Sequence, residues 1–400
     1  MPIMPTEIKN NIFYCGLNHR ERRLFDELIP LPVGTTYNSY LIKGSEKTVI
    51  IDTMYPPKAD EYIEKLEKAG ADKVDYIIAN HGEQDHSGAL PKMLKKYPEA
   101  IILTNAKCKE IIQEMLHIDD NKFQVVSDGE EISLGDKTLK FILAPWVHWP
   151  DTMFTYVKED KLIFTCDFLG SHSPFENIYA DETCELLKAA KRYYAEIMMP
   201  FRNFCKKYVQ LLKGMAQNDE IDMILTSHGP IYKNPNFILN AYEEWTADEC
   251  KNEVVIPYVS MYESTKEMVD YLAEKLSDKG IVAKPFDVIK EDLGELAMEL
   301  VEACTIVIGS SMVLAGPHPA AVTTAYLAGI LRPKAKYVSF IGSYGWGGVL
   351  VEKLEQFLAG VKAEKLEPVI IKGKPKEEDF EKLDVLVEAI YERHKGLGLV

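Results

Sequence analysis

The sequence predicts an α/β protein of two domains, the second built on a doubly wound, five-stranded parallel sheet. Short apolar runs separated by turns fill most of residues 1–250, with amphipathic helices between them. Beyond a polar, charged stretch at 246–253, strand and helix alternate five times. Strict alternation of this kind is typical of a parallel sheet with helices on both faces. We therefore assign residues 1–250 to a sheet-rich domain and residues 251–400 to a parallel-sheet domain.

The individual elements follow from hydrophobic periodicity, taken in chain order. In the first domain we predict strands at 12–15, 36–42, 48–52, 74–79, 100–103, 122–126, 139–143, 153–157, 162–166 and 223–227, and helices at 59–68, 87–97, 107–115, 183–197 and 204–217. In the second we predict strands at 254–259, 282–288, 305–308, 337–341 and 368–371, and helices at 266–279, 294–302, 320–331, 349–358 and 377–394.

The composition restricts the partners and the compartment of the protein. Its formal net charge is −16, from 62 acidic against 46 basic residues, and this surplus repels nucleic-acid phosphates and anionic lipid head groups. The seven cysteines are scattered and include no Cys-x-x-Cys pair, which favours free thiols in a reducing compartment. The N-terminus has no pattern of a secretion signal, and no apolar run reaches the length of a membrane span. We expect a cytoplasmic protein that binds neither nucleic acid nor membrane.

Four potential metal ligands fall within six residues, His81-Gly-Glu83-Gln-Asp85-His86. The apolar run 74–79 precedes them and the helix-like segment 87–97 follows, so they occupy a strand-to-helix turn. A turn at the end of a rigid strand lets neighbouring side chains converge on one point. The pattern favours a polynuclear metal centre over a solvated loop that carries these residues by chance.

Three further candidate ligands, His148, Asp167 and His228, each follow an apolar strand. Taken singly, a histidine at a strand end is as readily an ordinary hydrogen-bonded residue as a ligand. Together with the first cluster, however, they make an ordered set of four imidazoles and three carboxylates. The ordered set is a much stronger indication of a metal site than any single member.

The turn at 81–86 looks like the metallo-β-lactamase-type signature His-x-His-x-Asp-His, with Glu83 in place of the second histidine. That exchange resembles the flavodiiron proteins, as do the stretches at 34–38, 148–153 and 227–232. A carboxylate there adds negative charge and a hard oxygen donor, which suits iron that cycles between two oxidation states better than zinc. The resemblance implies that the first domain is a metallo-β-lactamase-like αββα sandwich and the second is flavodoxin-like.

The resemblance also implies how the ligands are shared between two iron ions. One iron is expected at His81, Glu83 and His148, the other at Asp85, His86 and His228, with Asp167 as the bridge. In some members of the family the residue that matches His86 does not bind the metal directly.

Three turns of the second domain lie where a flavodoxin-like fold binds FMN. The first, at 260–265, follows the first strand, where hydroxyls and backbone N–H groups at a helix N-terminus make a phosphate site; read alone, it is a simple helix cap. The others are loops at 309–319 and 342–348, and the apolar residues at 312–315 depart from the family's usual Ser-Pro-Thr. The expected FMN-binding residues are Ser260, Met261, Tyr262, Glu263, Ser264, Thr265, Gly309, Ser310, Ser311, Met312, Ser343, Tyr344, Gly345, Trp346 and Gly347.

The function that the resemblance implies is reduction of O2 to water, of NO to N2O, or of both, at a non-haem diiron site that receives electrons through FMN. It also implies a separate electron donor, rubredoxin or reduced deazaflavin F420, and a head-to-tail homodimer or a homotetramer. Two alternatives stay open at this point. One is a zinc-dependent hydrolase with an appended flavodoxin-like domain, and the other is a flavin electron-transfer protein whose metal site no longer works.

Overall fold

In the computed structural model, which describes residues 4–400, the chain divides into two compact units. The first contains the chain up to Tyr194 together with Phe201–Thr246, and the second contains Ala195–Pro200 and Ala247–Val400. Within the described part of the chain, no helix has both the length and the apolar character that a membrane span requires.

The first unit contains two main sheets and seven α-helices within residues 4–246. Its strands are β1 (Thr6–Lys9), β2 (Ile12–Tyr14), β3 (Leu17–His19), β4 (Leu24–Phe25), β5 (Ile29–Pro30), β6 (Thr35–Tyr37), β7 (Tyr40–Lys43), β8 (Thr48–Ile51), β9 (Tyr76–Ile78), β10 (Ile101–Thr104), β11 (Phe123–Val125), β12 (Glu131–Ser133), β13 (Thr138–Leu143), β14 (Met153–Val157), β15 (Leu162–Cys166) and β16 (Met223–Thr226). Its helices are α1 (Ala59–Lys68), α2 (Gln84–Ser87), α3 (Leu90–Lys96), α4 (Ala106–Leu116), α5 (Cys184–Tyr193), α6 (Arg202–Gln217) and α7 (Pro235–Thr246).

The two sheets of this unit pack face to face. One has the order β1-β2-β7-β8-β9-β10-β11 and the other the order β12-β13-β14-β15-β16. Alternate residues of a strand point to opposite faces, so Ile50 packs against α1, α3 and α4 while Val49 and Ile51 join the core between the sheets. On the outer face of the second sheet, Phe154 of β14 contacts Tyr208 of α6. The predicted αββα sandwich is confirmed.

The second unit is built on one main sheet. Its strands are β17 (Lys251–Val259), β18 (Val282–Asp287), β19 (Ala303–Val313), β20 (Gly316–Pro317), β21 (Tyr337–Tyr344), β22 (Glu364–Lys365) and β23 (Val369–Lys372), and its helices are α8 (Ser264–Asp278), α9 (Leu293–Leu300), α10 (Pro319–Leu331), α11 (Val351–Glu355) and α12 (Glu377–Gly396). The parallel strands run in the order β18-β17-β19-β21-β23. This is the flavodoxin-like order 2-1-3-4-5, so the predicted doubly wound sheet is confirmed.

The structure contains elements that were not predicted, among them α7 and the strands β1, β3, β4, β5 and β12, and three further differences concern the candidate sites. The expected strand at 36–42 is interrupted at Asn38, whose amide group donates to the carbonyls of Thr226 and Gly229 and so draws the backbone out of the sheet. The helix expected from residue 87 is preceded by α2, which already includes Asp85 and His86. The loop expected at 309–319 is instead a continuation of β19 that pairs with β20.

The turn of this last hairpin explains the third difference. Leu314 and Ala315 both adopt positive φ, 49° and 60°, as the central residues of a tight two-residue hairpin turn do. Met312 then lies opposite Pro317 and Val313 opposite Gly316. The apolar residues that depart from the family pattern therefore extend the sheet.

Candidate metal centre

The seven predicted metal ligands come from five separate segments of the first unit. His81 and Glu83 lie in the turn after β9, and the next two ligands lie on α2. His148 lies between β13 and β14, Asp167 follows β15, and His228 follows β16. Because these strands end at the same side of the sandwich, side chains far apart in sequence meet in one buried pocket.

One group of ligand atoms surrounds Glu83. Its Oε2 lies 3.2 Å from Nε2 of His81 and 3.4 Å from Nε2 of His148. The Oδ2 atom of Asp167 lies 3.6 Å and 3.3 Å from the same two nitrogens. Each of the four residues offers one ligand atom, and those atoms lie within 4.8 Å of one another.

A second group surrounds Asp85. Its Oδ1 lies 3.2 Å from Nε2 of His86, and its Oδ2 lies 3.1 Å from Nε2 of His228. The Oδ1 atom of Asp167 lies 2.9 Å and 3.3 Å from these nitrogens. In this chain His86 therefore points its Nε2 into the pocket as the other ligands do.

Asp167 connects the two groups, because one of its carboxylate oxygens faces each of them. Neither oxygen of Asp167 or of Asp85 has a hydrogen-bond partner among the described residues, and neither do the Nε2 atoms of His86 and His228. Buried polar atoms without partners are costly unless they bind something else. Nitrogen and carboxylate donors converging from both sides on a shared carboxylate fit a pair of metal ions.

Hydrogen bonds on the outer side of the pocket orient two of the imidazoles. The Nδ1 atom of His81 lies 3.1 Å from Oδ2 of Asp151, which also accepts from the Gly82 N–H at 2.7 Å. The Nδ1 atom of His228 donates to the Thr36 carbonyl at 2.5 Å. Each contact places the proton on Nδ1 and directs the lone pair of Nε2 towards the centre.

The charges of the pocket favour ionised carboxylates around a positive centre. Burial opposes ionisation of Asp167, but the positive charge of His86 and the contacts with His148 and His228 outweigh it and hold the pKa of Asp167 well below its usual range. Burial likewise opposes the charged form of His81, yet the attraction of Asp151 raises the pKa of His81 well above normal. A pocket with this balance attracts cations, which replace the imidazole protons when they bind.

The predicted flavin residues lie at the carboxyl ends of β17, β19 and β21. The turn at 260–263 leads into α8. Glu263 at the N-cap makes no side-chain cap, but the Ser260 hydroxyl accepts from the Lys266 N–H at 3.2 Å, so Ser260 caps one N–H group of the helix as the alternative interpretation expects. The Thr265 and Ser343 hydroxyls lie 3.1 Å apart, and Ser311 Oγ is buried without a hydrogen-bond partner among the described residues. A Cβ at Gly309 would approach that of Tyr258 to 2.7 Å. A helix N-terminus beside hydroxyls fits a phosphate group.

Comparison with known proteins assigns the chain to a family. A family model described as an ODP family beta lactamase matches residues 35–229. A nitric oxide reductase of Moorella thermoacetica is 34% identical over 94% of this chain and 96% of its own length. A coenzyme F420H2 oxidase of Methanothermobacter marburgensis is 32% identical over 82% of this chain and 83% of its own. The rubredoxin oxygen:oxidoreductase of Desulfovibrio gigas superposes with a TM-score of 0.92 at 29% identity, covering 98% of this chain and 99% of that one.

The chain belongs to the flavodiiron protein family. The resemblance drawn from the sequence is thus confirmed, and this flavodiiron protein is an oxidoreductase. The alternative of a zinc-dependent hydrolase is not favoured, because the matching relatives cover nearly the whole chain and have redox activities.

Sequence reasoning missed the role of Asp151 and of the Thr36 carbonyl in this flavodiiron protein. Both lie in stretches that resemble the family, three residues after His148 and in the middle of β6, but neither carries a ligand signal of its own. Asp52 follows β8, where the sequence allows either a turn residue at the strand end or a carboxylate that supports the metal ligands. In the structure it accepts from the backbone N–H and the amide of Asn80 at 2.8 and 3.0 Å. It thereby stabilises the backbone directly before His81.

Proposed function

We propose that this flavodiiron protein reduces O2 to water, NO to N2O, or both, at two iron ions that receive electrons through FMN. The observation that carries the proposal is the shared carboxylate of Asp167, with Glu83 on one side of it and Asp85 on the other. Two adjacent metal ions with carboxylate-rich coordination can supply electrons in pairs to a small substrate. The redox activities in the names of the matching relatives support the same class of reaction.

The side chains of the pocket would hold the two ions. His81, Glu83 and His148 are proposed ligands of one iron, and their contacts converge on Oδ2 of Asp167. The proposed ligands of the other iron are Asp85, His86 and His228, which converge on Oδ1 of Asp167.

The outer contacts prepare these ligands before any ion binds. Asp151 and the Thr36 carbonyl keep a proton on the Nδ1 atoms of His81 and His228, so their Nε2 atoms face inward and are the ones that would exchange a proton for a metal ion. The four ligand histidines, Asp85 and Asp167 are buried and Glu83 is half-buried, so bulk water is largely excluded from the place where substrate would bind.

FMN, when bound, would accept electrons from a donor and pass them to the metal centre. Its phosphate is proposed to bind at residues 260–265 and its ring system near 309–312 and 343–347. The hydroxyls of Thr265 and Ser343 and the N-terminal N–H groups of α8 would hold the phosphate without a basic side chain.

The boundaries, the electron donor and the assembly are further parts of the proposal. Residues 1–250 would form the diiron domain and residues 251–400 the FMN domain. The donor would be rubredoxin or reduced deazaflavin F420, which accords with the names of two similar proteins. A cytoplasmic head-to-tail homodimer, alone or paired as a tetramer, would bring the flavin of one subunit to the irons of the other.

The decisive experiment is to measure iron, zinc and FMN per chain after anaerobic purification from an iron-supplied culture, and then O2 and NO consumption with a reduced donor. About two irons and one FMN per chain with reductase turnover are expected. Zinc alone does not decide the matter, because intrinsic affinities favour Zn²⁺ over Fe²⁺ and the site can be misloaded. Zinc that persists in iron-rich protein without FMN, together with hydrolase turnover, would overturn the proposal.

A further inference from the structure

Two cysteines of the second unit lie next to each other at the start of its sheet. Cys250 directly precedes β17, and Cys304 is the second residue of β19, the parallel neighbour of β17. Lys251 lies opposite Ala303 and the register shifts directly after this pair, so Cys250, one residue before it, and Cys304, one residue after it, lie diagonally across adjacent strands. Both also belong to the same apolar core.

The surroundings of the two thiols differ in a way that suits a reactive pair. Cys250 is 8% exposed at the rim of the core, whereas Cys304 is fully buried behind it. A hydrogen bond from Cys304, together with the positive charges of Lys336 and Lys334, lowers the pKa of Cys250 to about 7. Contact with Cys250 and burial raise the pKa of Cys304. Cys250 is therefore the nucleophilic thiol, and Cys304 is placed to react with it afterwards.

The remaining cysteines offer no such arrangement within the described chain. Burial raises the pKa of Cys15, Cys108, Cys166 and Cys205, so their thiolates are suppressed. Cys184 is exposed on α5 of the first unit. Cys184 serves as an accessible control thiol.

We propose that Cys250 and Cys304 form a reversible modification site that peroxides convert into an intrachain disulfide. The Cys250 thiolate attacks one oxygen of hydrogen peroxide and the O–O bond breaks. Cys250 becomes a sulfenic acid, and the hydroxide that leaves takes a proton from solvent to form the first water. The sulfur of Cys304 then attacks that of Cys250, the S–O bond breaks, and the second water leaves with the Cys304 proton. The two sulfurs supply the two electrons that reduce the peroxide.

The disulfide would join the strand that follows the boundary between the units to the central strand of the second sheet. The closed segment, 250–304, includes the turn at 260–265. Closing it restricts the unfolded chain, so the oxidised protein should unfold at a higher temperature than the reduced protein. The inference depends on neither the metals nor the flavin.

The test treats the purified holoprotein with limiting hydrogen peroxide, blocks free thiols with iodoacetamide, and maps tryptic peptides without reduction. We expect peptide 234–251 linked to peptide 291–334, with two hydrogens fewer than the sum of the separate peptides, and release of both by dithiothreitol. Failure to detect this linked pair while Cys184 is oxidised would overturn the proposal. So would linkage only between different chains.

Two variants separate the roles of the thiols. In Cys304→Ser, peroxide should leave Cys250 as a sulfenic acid that dimedone traps, whereas in Cys250→Ser, Cys304 should stay unmodified. Cys184→Ser should leave the linked pair unchanged. Dimedone labelling of Cys304 in Cys250→Ser would contradict the assigned order. The wild-type peptide map decides the existence of the site even where a variant fails to fold.

Discussion

The metal pocket of the first unit can be compared with the strand-end edge of the second unit, by which we mean residues 260–265, 309–312 and 343–347 at the carboxyl ends of β17, β19 and β21. They represent two ways of building a candidate cofactor site. In the pocket the side chains of the ligands are at most 14% exposed, and hydrogen bonds from outside the pocket orient His81 and His228. At the strand-end edge, Tyr262 and Trp346 are 85% and 77% exposed. The features proposed to bind phosphate there are the N-terminus of α8 and small hydroxyl residues.

The difference shows what a change of sequence does to each kind of site. In the pocket, function depends on side-chain atoms that have no other partner, so replacing one removes a ligand and leaves others buried and unpaired. At the edge, the proposed phosphate binding relies largely on backbone N–H groups, which every residue other than proline supplies. We therefore expect substitutions to cost far more in the first unit than at the edge of the second.

The largest effect is expected for Asp167→Ala, because this carboxylate faces both ligand groups. Iron content should fall by at least one ion per chain and reductase turnover by more than about 100-fold, while FMN stays bound. Metal analysis beside flavin absorbance measures both. Asp222→Ala, just before β16 in the same unit, is the control and should keep its iron. Full iron content in Asp167→Ala would contradict the expectation that substitutions cost more in the pocket than at the edge.

The next effect concerns a buried polar network that needs no cofactor. His394 is fully buried, with Nδ1 2.8 Å from Oδ1 of Asn252 and Nε2 2.8 Å from Oγ1 of Thr305, and burial lowers its pKa to about 4. Above pH ~6.5 the imidazole is neutral in both folded and unfolded chains. Between that pH and about 4 only the unfolded chain binds the proton, so the second unit should lose roughly 3 kcal/mol as pH falls.

Hydrogen exchange of β19 amides at several pH values measures this loss in the wild-type protein. His394→Gln should flatten the dependence, and His117→Gln, an exposed residue of the first unit, should leave it unchanged. An equal dependence in His394→Gln would assign the loss to other groups.

A smaller effect is expected for Asp151→Asn, which touches the metal ligands only through hydrogen bonds. The amide keeps the shape but weakens the orientation of His81, so iron affinity should fall about 10-fold to 100-fold. Competition with a chelator measures it. Asp128→Asn, whose carboxylate accepts the Leu143 N–H, is the matched control. An unchanged iron affinity would show that His81 is oriented without Asp151.

The smallest effect should come from the strand-end edge itself. Trp346→Ala removes an aromatic surface but no phosphate contact, so FMN affinity should fall only about fivefold. Titration of flavin-free protein with FMN measures it, with Tyr326→Ala on α10 as the exposed aromatic control. If FMN affinity fell by as large a factor as the turnover expected to be lost in Asp167→Ala, the edge would depend on side chains as strictly as the pocket does.

Much of the fold was readable from local pattern. Helix α1 was predicted with the bounds that the structure has, 59–68, because the apolar residues of an amphipathic helix recur in the sequence at helical spacing. The interruption of the strand at Asn38 could not be predicted from the sequence, because the carbonyls to which the Asn38 amide donates lie about 190 residues away along the chain. The extension of β19 into a hairpin depends on positive φ at Leu314 and Ala315, residues without a glycine's signal.

By itself the sequence determined the order of the elements, the family and the set of side chains that can bind metal, because periodicity and short motifs are local. Only the tertiary structure decided that each oxygen of Asp167 faces a different group, that Asp151 orients His81, and that Cys250 meets Cys304. These relations join segments that are distant along the chain. Distance between such segments is set by how the strands pair and the sheets pack, which no local pattern encodes.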